Sequence, residues 1–354
     1  MALSIGIVGL PNVGKSTLFN ALTKKKIEAS NYPFCTIDPN VGVVKVPDER
    51  LDKLAEVSKP AKIIPTVIEF VDIAGLVKGA HKGEGLGNQF LSHIRECDAI
   101  CEVVRNFEDS NIIHVNGKID PEGDRETVNL ELIFADLATV EKRLDKVGKE
   151  AKSGDKEAIK LKGLLERLKQ NLEAGKAARE LEFTDDEEKA IKHLNLLTIK
   201  PLLYVLNMNE EQTGAGFEQW DGKVLKLNIK TEEEIGNLPE EEQVEFIKEL
   251  GLEQSGLDKL IQASYDLLGL MTFFTTGADE TRAWTVVKGA RAPQAAGVIH
   301  TDFEKGFIRA EVIDWQKFFE AGSEQAAREK GWIRTEGKDY LMQDGDVCHF
   351  LFSR

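Results

Sequence analysis

The chain has 354 residues, 42% hydrophobic and 30% charged, enough for two or three domains with ordinary cores and no need of disulfide staples. A net charge of −15 and a pI near 5.1 argue against a protein that coats DNA or RNA by bulk electrostatics, while leaving room for a local basic patch. Cys35, Cys97, Cys101 and Cys348 show no C-x-x-C spacing, no secretory leader opens the chain and no apolar run approaches a bilayer span; a cytoplasmic protein with reduced thiols, neither exported nor in a membrane, is expected.

A predicted strand over 4–8 runs straight into Gly9-Leu10-Pro11-Asn12-Val13-Gly14-Lys15-Ser16-Thr17, and a predicted helix over 15–25 follows. The stretch fits G-x-x-x-x-G-K-[ST] in the strand, loop and helix order that the pattern requires. Its glycines let successive backbone N–H groups converge on phosphate oxygens at the positive end of the helix. Nucleotide contacts are therefore expected from Asn12, Val13, Gly14, Lys15, Ser16 and Thr17. Lys15 would reach the β- and γ-phosphates, and the Ser16 hydroxyl would bind Mg²⁺.

The next segment, 31–40, is too rich in Pro and Asn for a regular element and carries Thr36, placed to complete a Mg²⁺ shell and meet the γ-phosphate. Strands are expected over 41–46 and 66–71, the second ending in Asp72-Ile73-Ala74-Gly75. A carboxylate at a strand end followed by a glycine N–H is what a metal-dependent NTPase places opposite its phosphate loop, so Asp72 would hold Mg²⁺ through water and Gly75 would meet the γ-phosphate. The glycines between 75 and 87 imply a loop whose order depends on a ligand. A helix over 88–97 and a core strand over 99–104 follow, and then a polar, turn-rich stretch, 106–123, that contains His114.

Leu130, Ile133, Leu137, Val140, Leu144 and Val147 keep a three-and-four spacing, as do Leu161, Leu165, Leu168 and Leu172, with Ser153-Gly154 between them. This predicts a helical hairpin with a coiled-coil seam. Thr184 and Glu187 form a capping-box pattern for a third helix through Leu194. Strands over 201–206 and 224–227 resume the α/β alternation, so the hairpin is an insertion. Helices over 232–250 and 257–268 close the domain. After 277, short strands at 284–288, 306–312, 340–342 and 347–352 around a helix at 314–321 predict a small α+β module.

With the phosphate loop, Thr36, Asp72 to Gly75 and Asn207-Met208-Asn209-Glu210 in this order, the chain resembles the Obg-like ATPases, the YchF-type branch of the Obg-related P-loop proteins. The match is specific at Tyr32-Pro33-Phe34-Cys35-Thr36, at the Gly-rich run 75–87 and at Arg282-Ala283-Trp284-Thr285-Val286-Val287-Lys288-Gly289, and it covers essentially the whole chain. The resemblance implies an α/β, Ras-like P-loop NTPase domain over 1–276, interrupted by a helical coiled-coil insertion at 127–196, and a C-terminal TGS domain with a ubiquitin-like β-grasp fold over 277–354. It also implies an ATPase that associates with ribosomes: the large subunit or 70S particle and its rRNA are the expected partners, with no membrane and no DNA.

Several residues depart from the usual switch pattern. Leu76 stands where Ras-type switches have a water-orienting Gln; the resemblance offers His114 as a substitute catalytic group beside Lys15, with slow intrinsic turnover. Asn12 sits where some related NTPases bind K⁺. Guanine-selective switches read N-K-x-D, and the change to Asn207-Met208-Asn209-Glu210 predicts a preference for ATP, with base contacts from Asn207 and Met208. Asn228-Ile229-Lys230 replaces the usual Ser-Ala-Lys, and its base contacts stay open. The competing readings are an Obg-type GTPase and a nucleotide-gated scaffold with incidental turnover.

Overall fold

Ile5, Ile7 and Val8 are fully buried in β1 (Ser4–Val8), a run apolar on both faces, as a strand covered on both sides must be. The computed structural model describes residues 3–24, 40–73, 86–115, 117–209, 216–217 and 219–353. After β1 come α1 (Lys15–Lys24), β2 (Val41–Lys45), α2 (Glu49–Ser58), β3 (Lys62–Ile64), β4 (Val67–Asp72), α3 (Leu86–Glu96) and β5 (Ala99–Asn106). The helices α4 (Pro121–Ala151), α5 (Lys156–Glu173) and α6 (Asp185–Ile191) precede β6 (Leu202–Met208) and β7 (Lys223–Leu227). Then follow α7 (Ile229–Ile235), α8 (Glu240–Glu249), α9 (Gly256–Leu267), β8 (Leu270–Thr276) and β9 (Glu280–Val287). The chain ends with α10 (Ala292–Ile299), α11 (Thr301–Lys305), β10 (Phe307–Asp314), α12 (Trp315–Ala321), α13 (Glu324–Glu329), β11 (Arg334–Glu336) and β12 (Asp346–Phe352).

Two compact units divide the chain, one built mainly from 3–42 and 69–257, the other from 43–68 and 258–354. The first holds most of a six-stranded sheet of order β2-β4-β1-β5-β6-β7, in which β4, β1, β5, β6 and β7 pair in parallel. Ile7 stands opposite Asp72, so the carboxylate at the end of β4 is level with the end of β1 where the phosphate loop begins. This is the carboxyl edge of a parallel sheet, where α/β proteins gather their ligands.

The expected hairpin is present. α4 has 31 residues, about 46 Å at 1.5 Å per residue. Its Val140 and Val147 are buried against Leu165, Leu168 and Leu172 of α5. Gly154 turns the chain at φ +85°, and Asp155 caps α5 by accepting from the N–H groups of Glu157 and Ala158. The Thr184–Glu187 capping box forms at α6. At the hairpin's return, buried Asp136 of α4 accepts hydrogen bonds from Leu197 N–H, Thr198 N–H and the Thr198 hydroxyl. The first helix starts at Pro121, inside the stretch 106–123 read as polar and turn-rich, because Asp120 caps it and Pro occupies the first turn, where a missing N–H costs nothing.

The second unit has a sheet of order β11-β10-β12-β8-β9-β3. The β8–β9 hairpin is antiparallel, β12 lies parallel beside β8, and β10 and β11 follow antiparallel beyond it, which is the β-grasp arrangement. A boundary at 277 would cut this sheet. β8 lies between β12 and β9, with Phe273 buried in one core beside Trp284 and Phe350 and Phe274 in another with Leu51 and Leu54 of α2. Successive strand side chains face opposite ways, so one strand feeds both cores. The segment 43–68, remote in sequence, therefore belongs with the C-terminal module.

Two smaller expectations change. The acidic stretch 232–250 forms two helices, since Pro239, without an N–H to continue a helix, stands at the N-cap of α8. The segment 340–342 contributes one isolated bridge, Leu341 to Arg291, instead of a strand.

Candidate active site

The phosphate loop owes its shape to three unusual backbone positions. Gly9 has φ +147° and Gly14 has φ +105°, conformations that L side chains rarely adopt. Space adds a second requirement: a Cβ on Gly9 would collide with the Val103 carbonyl, and one on Gly14 would stand 2.6 Å from Asn207 Nδ2. Asn12 takes the left-handed conformation at φ +63°, which Asn tolerates better than most residues. Val13 is buried under the loop, and Leu18 N–H donates to the Gly14 carbonyl at 2.9 Å, opening α1 behind it.

Lys15 is buried, and its Nζ donates to the Leu10 carbonyl at 2.7 Å. Burial draws its pKa down to about 8, against the opposing pull of Asp72. Burial likewise raises Asp72, while the Lys15 charge and a hydrogen bond from the Ser16 hydroxyl lower it. Lys15, Ser16 and Asp72 thus meet at the carboxyl edge of the sheet, with Ser16 exposed at the start of α1. An ammonium, a hydroxyl and a carboxylate around a backbone cradle that admits no Cβ at Gly9 or Gly14 fit a phosphate chain with its divalent cation. Thr36, Gly75, Leu76 and Glu210 lie outside the described residues, as does Cys35; Cys97, Cys101 and Cys348 are free and buried. Among the described residues no group of three His, Cys, Asp or Glu side chains could hold a metal by itself.

Asn207, at the end of β6, donates from Nδ2 to the Val13 carbonyl at 3.0 Å and accepts the Ile229 N–H at Oδ1, 3.2 Å. It therefore ties the phosphate loop to the loop after β7, where Asn228 caps α7 by accepting from Thr231 N–H. Met208 beside it is buried. Thr17 is half-buried in the first turn of α1.

A 55% identical relative, the "Ribosome-binding ATPase YchF" of Bacillus subtilis (strain 168), aligns over 100% of both chains. The chain belongs to the YchF family. A protein of the same name from Escherichia coli O157:H7 is 53% identical, again over the whole of both chains. The solved structure of the Schizosaccharomyces pombe YchF GTPase matches with a TM-score of 0.86 at 40% identity, covering 99% of this chain and 97% of that one. Two family models match: the YchF-GTPase_C model, described as a protein of unknown function, over 270–353, and one described as a 50S ribosome-binding GTPase over 4–131. The YchF C-terminal model thus begins at the first residue of β8, in agreement with the sheet and not with a break at 277.

The segment before α4 is held in place from several sides. Buried Arg105 of β5 donates to the carbonyls of Phe107 and Ile112, each at 3.1 Å, and Asn12 Nδ2 donates to the Ile113 carbonyl at 3.1 Å. His114 is buried, not an exposed loop histidine, and its Nε2 lies 2.8 Å from Asp124 Oδ2. Sequence reading overlooked Asp124, Arg105 and the Ile229 N–H. Nothing in the local pattern marks them, since a carboxylate in a first helical turn is ordinary and a backbone N–H carries no sequence signature.

Proposed function

We propose that the chain is a Mg²⁺-dependent P-loop NTPase that hydrolyses ATP in preference to GTP and works in the cytoplasm as a nucleotide switch on the ribosome. The convergence of Lys15, Ser16 and Asp72 on the cradle 9–17 carries the reading. When bound, Mg²⁺ would neutralise charge between the β- and γ-phosphates, held directly by Ser16 and Thr36 and through water by Asp72. The backbone at Asn12, Val13, Gly14, Lys15, Ser16, Thr17 and Gly75 would seat the phosphates. Lys15 would exchange the Leu10 carbonyl for phosphate oxygens, whose negative charge would oppose the lowering of its pKa by burial. Asn12, whose Nδ2 is engaged with Ile113, would offer its Oδ1 to K⁺. His114 would position the attacking water that Leu76 cannot.

The names of the relatives and family models divide between ATPase and GTPase. Adenine is favoured by Met208 and Glu210, which replace the Lys and Asp of a guanine-reading N-K-x-D. Guanine N1–H and its exocyclic amine would meet a carboxylate displaced by one methylene, and a distorted bond to a buried polar group costs about 1 to 3 kcal/mol. Asn207 and Met208 would contact the base.

The test is multiple-turnover phosphate release with ATP and with GTP, in KCl and in NaCl, followed by sedimentation with ribosomes in each nucleotide state. We expect turnover of about 10⁻⁴ to 10⁻² per second, as in unassisted switches. Tighter GDP than ADP binding would return the protein to the GTPase reading. Equal rates in the two salts would remove K⁺, and single-turnover release without recycling would favour a scaffold.

A further inference from the structure

We propose that Asp124 is a positioning residue for His114, fixing the tautomer and direction of its ring from the first turn of the inserted helix α4. The inference rests on the reading of His114 as the residue that positions the attacking water.

Three backbone contacts hold the segment and one holds the ring. The Ile112 carbonyl is held by Arg105, the Ile113 carbonyl by the phosphate-loop residue Asn12, the His114 carbonyl by Gly117 N–H at 3.0 Å, and Nε2 by Asp124 at 2.8 Å. Backbone bonds on both sides of His114 fix the main chain from which the ring projects, and the carboxylate fixes the ring. Both partners of the pair are buried, His114 9% and Asp124 2% exposed. At such a position water does not compete for the hydrogen bond, so its geometry is maintained.

A carboxylate accepts, so with Asp124 in that form Nε2 is the donor of this bond and Nδ1 is the acceptor nitrogen of the ring. A His whose second nitrogen is held by a carboxylate is fixed in orientation, the arrangement by which acid–base sites select one tautomer. Asp124 has a further property as an anchor. It lies in the first turn of α4, behind the Asp120 cap, so the base of the hairpin and the ring of His114 share one rigid support. Movement of α4 relative to the sheet would redirect the ring. Asn12 links the same segment to the phosphate loop, so both ends of this short relay lie on elements the nucleotide and the hairpin control.

The test uses the full chain with ATP and Mg²⁺, comparing Asp124→Asn, Asp124→Glu, His114→Ala and the double variant His114→Ala with Asp124→Asn. Asp124→Asn keeps the shape but offers an amide in place of a carboxylate; we expect kcat to fall about 10-fold with KM for ATP unchanged. Asp124→Glu should recover part of the loss, and the double variant should be no slower than His114→Ala alone. ¹⁵N spectra of the imidazole in the unmodified protein should show the Nε2–H tautomer, a readout that needs no variant to fold. If His114→Ala is itself silent, the role of His114 fails and this inference with it. If His114→Ala is slow and Asp124→Asn is not, Asp124 alone loses its role. Faster turnover in Asp124→Asn, or an Nδ1–H tautomer, would also overturn the proposal, the first by making Asp124 a group that withholds His114.

Discussion

Asn207 Nδ2 donates to the Val13 carbonyl across 3.0 Å, so a side chain at the end of β6 supports the phosphate loop from beneath. Its Oδ1 takes the Ile229 N–H, and both bonds are buried. Asn207→Ala removes them together and leaves a carbonyl and an N–H unpaired, at a cost of about 1 to 3 kcal/mol. ADP affinity measured by calorimetry should fall about tenfold, and the urea midpoint should fall with it.

Gly14→Ala is expected to damage the same contact from the other side. Its Cβ would stand 2.6 Å from Asn207 Nδ2 at a φ of +105°, so both strain and collision oppose it. Nucleotide binding should be lost while the thermal transition of the C-terminal β-grasp module persists, as differential scanning calorimetry would record.

Base choice should be reversible. Met208→Lys combined with Glu210→Asp restores an N-K-x-D reading of guanine, and GDP affinity should rise about tenfold or more relative to ADP. An unchanged ratio in competition titrations would mean that positions 208 and 210 do not set the base preference.

Glu102 on β5 predicts a pH effect. It is fully buried, and neither carboxylate oxygen has a hydrogen-bond partner among the described residues. Burial raises its pKa well above the ordinary carboxylate value; the charges of Arg125 and Arg179 counter this, and Asp221 and Asp124 add to it. A raised acid pKa means the folded state holds the proton more tightly than the unfolded one. The associated stability is complete below the unfolded pKa and is lost as pH rises toward the folded value. Glu102→Gln stays neutral throughout, so its stability relative to the parent should improve by about 1.4 kcal/mol per pH unit across that window. Urea titrations at pH 5 and pH 8 would measure the difference; a constant offset would mean that Glu102 does not titrate there.

The hairpin carries a local basic surface. Basic residues outnumber acidic ones by five within 142–169, against −15 for the chain. Part of that excess is paired with acids outside the range, since Lys169 and Arg167 form ion pairs with Glu141 and Glu187. Lys149, Lys152 and Lys156 at the turn are exposed, and Asp155 beside them is engaged in capping α5. Neutralising these three lysines should weaken ribosome co-sedimentation and flatten its salt dependence, with ATP hydrolysis by the isolated protein intact. Unaltered sedimentation across a salt series would move the contact to the β-grasp module.

Local chemistry wrote much of this protein into its sequence. The loop 9–17 is legible because only Gly satisfies a positive φ and a close backbone approach together, and because a Lys and a Ser must follow at fixed distance. The hairpin is legible because its apolar residues recur at the period of a helix seam, and α6 because a capping box is a short-range signature. Each depends on residues within a few positions of one another.

Tertiary structure decided what depends on distant partners. That 43–68 joins the C-terminal module follows from Leu51 and Leu54 packing on Phe274, contacts no local pattern encodes. β8 was hidden because its Phe pair serves two cores, so its sequence shows no alternation of polar and apolar faces. The surroundings of His114 were invisible for the same reason: Asn12 and Arg105 reach its segment from other strands and loops. Asp124, ten residues on, meets its ring only because α4 begins where Asp120 caps it. A side chain's identity is local; its burial and its partner are properties of the closed fold.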